Sequence, residues 1–293
     1  MTTETVGFVG LGLMGAGFTR RLADKGYRVV GFDSDETKMK AAAEWGVQPA
    51  RSAAAVADAA DIVLVCVINT AAVEDVALGS HGLINAKAPA GKIMVDHSTT
   101  ELETTRRIAA ALAERGMAFV DAPVSGGPVA ARAGSLAIMA GGAEDAIARI
   151  APVMAALGTL THMGPAGTGQ ATKLVNQTIV LTNYCVLAEA LRLAQAYGVD
   201  AAKVPQALKA GFAGSNMLGP VFPQMLADDF APRGFARQVL KDLEMLQTAA
   251  RDGHVAMPMA SQALTLYRLL IASGKSELDA AAVVTLYPPP DPH

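Results

Sequence analysis

Cysteine, aromatic residues and excess charge are all scarce in this sequence of 293 residues. Only Cys66 and Cys185 are present, far apart and inside apolar stretches, so we expect a reducing compartment and no disulfide framework. The formal net charge of −3 gives no reason to expect nucleic acid or an anionic membrane as a partner. No uncharged apolar run reaches the roughly 20 residues of a membrane span. The polar start Met1–Glu4 is unlike a signal peptide, so we expect a cytoplasmic protein.

Apolar residues are abundant and make up 52% of the sequence. The length of the chain suggests two domains. Short β-like runs alternate with helical patterns through the first half, which predicts a doubly wound, mostly parallel sheet. The predicted strands are Val6–Val9, Tyr27–Phe32, Asp61–Ile68, Lys92–Asp96, Ala118–Asp121 and Leu136–Ala140. From about Thr168 only helical patterns follow, of which Thr168–Tyr197 is apolar on nearly every face and is predicted to be buried in a bundle. The predicted α/β Rossmann domain covers residues 1–164, and an all-α helical domain covers residues 165–293.

A G-x-G-x-x-G motif lies between the first predicted strand and the first predicted helix, which is the context that dinucleotide binding requires. Its residues are Gly10, Leu11, Gly12, Leu13, Met14 and Gly15. Gly10 allows a tight turn, Gly12 lets the backbone approach a pyrophosphate, and Gly15 lets helix and strand pack closely. The alternative is a simple tight turn in a glycine-rich chain.

Asp33 ends the second predicted strand, at the position that contacts the adenosine ribose in such proteins. A carboxylate there accepts hydrogen bonds from the ribose hydroxyls and repels a 2′-phosphate, and no arginine follows it. The sequence therefore favours NAD over NADP.

Two further features point to chemistry. Ser125-Gly126-Gly127 follows an apolar strand and offers a hydroxyl with unshielded N–H groups, which suit a carboxylate; a flexible turn is the equal alternative. Lys173 lies in the most apolar helix, where burial would lower the pKa of an ammonium towards the range of general acid–base catalysis. Asn176 and Gln177 share its helix face. The alternative is a lysine that snorkels to solvent from the first turn.

The roles of Lys241 and His97 each have two possible interpretations. Lys241 could bring a cation to the cofactor, although its neighbour Asp242 makes a surface ion pair the simpler interpretation. His97 could contact substrate or the nicotinamide ribose, or make only a structural hydrogen bond. No Cys, His and carboxylate cluster has the spacing of metal ligands, so no metal is expected.

Together these motifs resemble the β-hydroxyacid dehydrogenase family, which includes 3-hydroxyisobutyrate dehydrogenase and tartronate semialdehyde reductase. The resemblance covers nearly the whole chain and is carried by GFVGLGLMG, DHSTT, DAPVSGG, GSLAIMAGG, GTGQATKLVNQ and LKDL. It implies a Rossmann domain followed by a helical domain, and dimers or tetramers formed through the latter. It also implies a small hydroxy acid as substrate.

The resemblance assigns roles as well. Lys173 matches the proton donor or acceptor at the substrate oxygen, and Ser125-Gly126-Gly127 matches the loop that binds the substrate carboxylate. The cofactor-contacting positions are matched by Val67, Ile68, Asn69 and Thr99. Lys241 matches a lysine that reaches the cofactor from the helical domain.

The chain departs from the commonest family pattern near the substrate. Gln177 stands where asparagine is usual, with Asn176 before it, and His97 replaces a residue that is frequently small. Gln177, CVINTAAVEDV and GSNMLGP are closest to the L-threonate dehydrogenase and tartronate semialdehyde reductase branches, which implies a polar acid instead of isobutyrate. 3-Hydroxyisobutyrate dehydrogenase activity stays open as an alternative. So do an imine reductase on the same fold and a non-catalytic dinucleotide-binding protein.

Overall fold

A largely parallel sheet forms the first half of the chain in the computed structural model, which describes residues 5–290. Its strands are β1 Thr5–Val9, β2 Arg28–Phe32, β3 Gln48–Pro49, β4 Ile62–Val65, β5 Ile93–Asp96, β6 Ala118–Asp121, β7 Val124–Ser125, β8 Leu136–Gly141 and β9 Gly158–Gly164. Their order is β3-β2-β1-β4-β5-β6-β8-β7, and β9 pairs with β8. All pairs from β3 to β6 are parallel, whereas β8 runs antiparallel to β6 and β7.

Helices connect these strands and then make up the rest of the chain. They are α1 Leu13–Asp24, α2 Glu36–Ala43, α3 Ala53–Ala59, α4 Thr70–Leu78, α5 Leu102–Glu114, α6 Gly127–Ala133, α7 Glu144–Leu157, α8 Thr168–Ala196, α9 Val204–Leu208, α10 Leu218–Leu226, α11 Ala236–Asp252 and α12 Pro258–Ala272. The chain divides into two units, one ending at Lys173 and the other beginning at Leu174, so the division falls inside α8. A domain boundary at residue 164 stays a prediction from the sequence.

Continuous apolar strands are explained by cores on both faces of the sheet. In β4 every residue is buried, with Ile62 and Leu64 in one core cluster and Val63 and Val65 in the other. Successive side chains of a strand point to opposite faces, so a strand covered by helices on both faces has no polar position. The predicted fold class is confirmed.

The strand order also determines where a ligand can bind. The chain leaves β1 for β2 on one side of it and later returns to β4 on the other side. At such a switch point the connections that follow the two strands diverge, which leaves a crevice at their carboxyl ends. Gly10 follows β1 and Cys66 follows β4, so both lie at this crevice.

The sequence missed several elements and misjudged the ends of others. The elements not predicted are β3, β7, β9, α3, α4, α6 and α7. The predicted strand Asp61–Ile68 ends at Val65, and α4 follows after Asn69, whose side chain caps the helix by accepting a hydrogen bond from the Ala72 N–H. Among the helical patterns expected after Thr168, the one that starts at Ala201 is a 3-10 turn, Ala201–Lys203, followed by the short α9.

Helix α8 differs from its predicted complete burial. One face buries Leu181, Ala188 and Leu191, but a stripe on another face is exposed. The stripe consists of Val175, Ile179, Val186 and Leu193, each at least 49% exposed. By length and composition α8 could cross a membrane, although 39% of its most apolar window is buried inside the protein.

Candidate active site

The glycine motif folds into the turn that its spacing predicts. Gly10 has φ +97°, and a Cβ there would lie 2.1 Å from the Cys66 carbonyl oxygen, so no other residue fits. A Cβ on Gly15 would lie 1.9 Å from the Gly10 carbonyl oxygen, which explains the close packing of α1 on β1. At Gly12, by contrast, an added Cβ meets nothing within 4 Å. This open side is where a pyrophosphate can approach the backbone, and no side chain caps the start of α1 at Gly12.

Asp33 is tied to the same turn. Its carboxylate accepts hydrogen bonds from the Leu11 N–H at 2.7 Å and from the Asp35 N–H at 2.9 Å. Lys38 Nζ lies 3.7 Å from Oδ1, a cation that sequence reasoning missed because it lies within α2. Asp33 therefore stabilises the glycine-rich turn and stands at the end of β2, where a ribose would lie.

The segments after β4 and β5 are bonded to each other. The Val67 N–H donates to Ser98 Oγ at 2.9 Å. The buried carboxylate of Asp96 accepts from the Ser98 N–H at 2.9 Å and from Thr100 Oγ1 at 2.6 Å. The backbone on both sides of Thr99 is thereby fixed. Of the predicted cofactor contacts, Ile68 is exposed, whereas the Asn69 side chain caps α4.

His97 makes the structural hydrogen bond that sequence analysis left open. Nδ1 lies 2.7 Å from the Ala122 carbonyl oxygen, which requires that nitrogen to carry the proton. The ring stacks on Phe18 of α1 at 4.9 Å between centroids. Burial lowers the pKa of His97 to about 4, so the ring is neutral at pH 7.

Asp121, at the end of β6, holds the start of α8. It is fully buried, and its two carboxylate oxygens accept from the Gly167 and Gln170 N–H groups, each at 2.7 Å. Burial raises the pKa of Asp121 to about 6, and the neighbouring Asp96 adds to the shift. These two bonds satisfy N–H groups at the helix start that have no partner within the helix.

The Ser-Gly-Gly loop follows directly. Ser125 ends β7, and Gly126 and Gly127 have φ values of +131° and +70°, a backbone shape that suits glycine. The loop has a fixed position, because β7 pairs with β8.

Lys173 lies beside this loop. Its side chain is 8% exposed, and Nζ donates to the Val124 carbonyl oxygen at 2.8 Å. The snorkelling interpretation is therefore wrong, since the ammonium is buried and bonded inside the first unit. The arrangement places an amine able to exchange protons next to a loop able to bind an anion.

The remaining predicted residues form a cluster in the second unit. Asn176 Nδ2 donates to Gln177 Oε1 at 2.8 Å, and Gln177 Nε2 donates to Asp242 Oδ2 at 2.5 Å. Lys241 Nζ lies 3.0 Å from the other Asp242 oxygen. This ion pair was expected, but Asp242 is 9% exposed, so the pair is not a surface one.

Sequence reasoning missed four residues that hold these parts in place, Asp96, Ser98, Asp121 and Gln170, and it missed the bond that Asp242 makes to Gln177. Asp96 and Asp121 gave one usable signal, since each is a carboxylate that closes a buried strand. The partners of Asp121 are backbone groups distant in sequence, which no pattern identifies. Within residues 5–290 no group of three metal-ligating side chains could hold a metal ion.

Two family models match consecutive parts of the chain. The NAD binding domain of 6-phosphogluconate dehydrogenase matches residues 5–167. The NAD-binding domain of NADP-dependent 3-hydroxyisobutyrate dehydrogenase matches residues 167–287. The two matches meet between β9 and α8.

Curated relatives and solved structures are similar along the whole length. The 2-hydroxy-3-oxopropionate reductase of Escherichia coli is 36% identical, covering 95% of this chain and 95% of the relative. The NAD-dependent L-serine dehydrogenase of Pseudomonas aeruginosa is 35% identical, with 98% of each chain covered. The crystal structure of 3-hydroxyisobutyrate dehydrogenase from Salmonella typhimurium has a TM-score of 0.88 at 28% identity, covering 97% of this chain and 100% of that one.

Proposed function

We propose, on the premise that this chain belongs to the β-hydroxyacid dehydrogenase family, that it transfers a hydride between NAD and the 3-hydroxyl carbon of a small polar hydroxy acid. Membership makes the chain an NAD-dependent oxidoreductase that acts on CH–OH groups. The observation that carries the proposal is the buried Lys173 amine, which lies 2.8 Å from the Val124 carbonyl oxygen beside Ser125-Gly126-Gly127.

The residues of the first unit fit the cofactor. The open side of Gly12 leaves room for the pyrophosphate, and Asp33 would accept hydrogen bonds from the adenosine ribose. Leu13 and Ile68 are exposed apolar side chains near the ends of β1 and β4, where they would contact the cofactor. We propose that Val67 and Thr99 contact the cofactor near the nicotinamide, and that Lys241 contacts the cofactor as well.

The chain's own residues would handle the carboxylate and the proton. When bound, the nicotinamide supplies the hydride acceptor or donor. Ser125 and the N–H groups of Gly126 and Gly127 would hold the substrate carboxylate, which orients the reacting carbon. Lys173, as a neutral amine, would take the hydroxyl proton during oxidation and, as an ammonium, return it during reduction. Asn176 and Gln177 remain the predicted partners of the reacting oxygen.

The substrate class rests on two arguments. Gln177 stands where asparagine is usual in the family and is closest to the L-threonate dehydrogenase and tartronate semialdehyde reductase branches, which favours a polar acid. Two similar relatives are named for L-serine and for 2-hydroxy-3-oxopropionate, both small and polar. L-Threonate, glycerate and tartronate semialdehyde therefore come first, and 3-hydroxyisobutyrate is the alternative.

The test measures NADH formation with L-threonate, D-glycerate, L-serine and 3-hydroxyisobutyrate, using wild type and Lys173→Ala in parallel. We expect one acid to react, with kcat about 100- to 10,000-fold lower in the variant because the general base is gone. Lys203→Ala, on the exposed surface of the second unit, is the matched control and should keep wild-type rates.

Two results would contradict the proposal. Unchanged rates in Lys173→Ala would show that the lysine does not take part in proton transfer. Tight NADH binding with no turnover of any acid in either direction would favour an imine reductase or a non-catalytic dinucleotide-binding protein.

We also propose that the chain forms homodimers or homotetramers through the helical domain and works in the cytoplasm. The exposed stripe on α8 recurs at spacings of four and seven residues, which places its members along one helix face. An apolar face of this kind is stabilised by burial against a second copy.

A further inference from the structure

Gln170 has a buried side chain to which the proposed proton transfer assigns no role. It lies in the first turn of α8, and its side chain is 1% exposed. Nε2 donates to the Ser98 carbonyl oxygen at 2.8 Å, and Oε1 accepts from the Thr100 N–H at 3.1 Å. The two backbone groups belong to the residues on either side of Thr99. One amide thus binds the segment after β5 at both of these points.

The same helix turn is also bonded to the end of β6. The Gln170 N–H donates to Asp121, and Lys173, three residues later, donates to the Val124 carbonyl oxygen. The start of α8 is therefore connected to the carboxyl end of β6 through its backbone and to β7 through its lysine. The Gln170 side chain adds a connection to the segment that carries Thr99.

We propose that Gln170 is a positioning residue that sets Thr99, and with it the nicotinamide side of the site, relative to the Lys173 amine. The proposal rests on the proposed function, because Thr99 and Lys173 take their roles from it. A primary amide suits this place, because it donates from one atom and accepts at another. A shift of about 1 Å between reacting groups can lower the rate about 100-fold.

Two substitutions at this position separate positioning from packing. Gln170→Met keeps a similar length but removes both hydrogen bonds. Gln170→Glu keeps the shape, and its carboxyl reproduces the donor and acceptor pair only while it is protonated. Thr172→Ala is the matched control, since its hydroxyl donates to the Thr168 carbonyl oxygen within the same helix.

The charged groups around the carboxyl introduced by Gln170→Glu determine its pH response. Asp121 and Asp96 end the two neighbouring strands, Lys173 lies further along α8, and Arg106 of α5 borders Gly167. Burial and the two carboxylates favour the protonated form. We therefore expect the ratio of variant to wild-type kcat to rise as the pH falls.

The experiment compares kcat on the acid that reacts best, the emission of bound NADH, and the Kd of ADP-ribose, which lacks the nicotinamide. In Gln170→Met we expect kcat to fall about 100-fold and NADH emission to shift towards that of free NADH. ADP-ribose should bind within about twofold of wild type, because the β1–α1 turn and Asp33 are untouched. Thr172→Ala should match wild type in all three measurements.

Several outcomes would overturn the inference. Wild-type kcat and NADH emission in Gln170→Met would show that the amide positions nothing. If Gln170→Met lost affinity for NADH and for ADP-ribose equally and had a lower Tm, the role of Gln170 would be structural only. If wild type oxidises no acid, the proposed function fails, and the comparison of NADH with ADP-ribose still decides the role of Gln170.

Discussion

His97 and Asp121 show at the scale of single residues how burial changes protonation at the carboxyl edge of the sheet. The pKa of His97 is lowered to about 4 and that of Asp121 is raised to about 6, in both cases mainly by desolvation of the charged form. The two residues follow or end neighbouring strands, β5 and β6. Their contributions to stability therefore change with pH in opposite directions over nearly the same range.

His97→Gln tests this directly. Between pH 6.5 and about 4 the unfolded chain protonates His97 and the folded protein does not, so folding is weakened as the pH falls. Asp121 strengthens folding over this range but is present in both proteins and cancels in the comparison. We expect the stability difference to shift by about 3 kcal/mol in favour of the variant between pH 7 and pH 4. Urea unfolding at both pH values measures it, and parallel pH curves for the two proteins would contradict the shift.

At the scale of elements, the turn between β1 and α1 contains two glycines that the fold requires and one, Gly12, that we predict is required for binding. Gly10 and Gly15 stand within 2.1 Å of backbone oxygens at their missing Cβ positions, so any larger residue would disturb the turn. Gly12 has open space and φ −67°, which other residues adopt freely. The fold does not exclude a side chain at Gly12, so we predict that bound pyrophosphate is what requires glycine there.

Gly12→Ala should therefore leave stability unchanged and weaken NAD binding. An added methyl group occupies the space where the pyrophosphate approaches, so we expect the KM for NAD to rise about tenfold or more, a change of about 1.4 kcal/mol. Gly219→Ala in α10 is the control, since its Cβ also meets nothing within 4 Å. Thermal unfolding and NAD titrations distinguish the two variants, and an unchanged KM in Gly12→Ala would place the pyrophosphate elsewhere.

At the scale of the whole molecule, the apolar stripe on α8 is exposed to solvent when one chain is considered by itself. Val175, Ile179 and Leu193 are each more than 60% exposed, on a helix that buries Leu181, Ala188 and Leu191 on another face. Single exposed apolar residues are ordinary, but four on one face of one helix point to an interface.

Ile179→Glu should dissociate the proposed assembly, because a carboxylate in an apolar interface is costly unless it is paired. Light scattering at micromolar protein should give the mass of a dimer or tetramer for wild type and of a smaller species for the variant. Val129→Glu, an exposed apolar site on α6 in the first unit, should keep the wild-type mass. A monomeric wild type would end the proposal.

Much of this protein is determined by local sequence. Continuous apolar strands, the G-x-G-x-x-G spacing and Asp33 predict the fold class and the dinucleotide turn, because periodicity and glycine geometry act over a few residues. Lys173 stands out for the same reason, as a charge within an apolar helix. Short elements such as β7 and α6 were missed, since two to seven residues carry too little pattern.

Only the tertiary structure decided what holds the site together. Asp121 meets Gly167 and Gln170, and Gln170 meets Ser98 and Thr100, across separations of 46 to 72 residues. These partners are mostly backbone groups, which every residue carries and no sequence pattern marks. The tertiary structure likewise decided that His97 stacks on Phe18, and that one face of α8 stays exposed, because both depend on which helix packs against which strand.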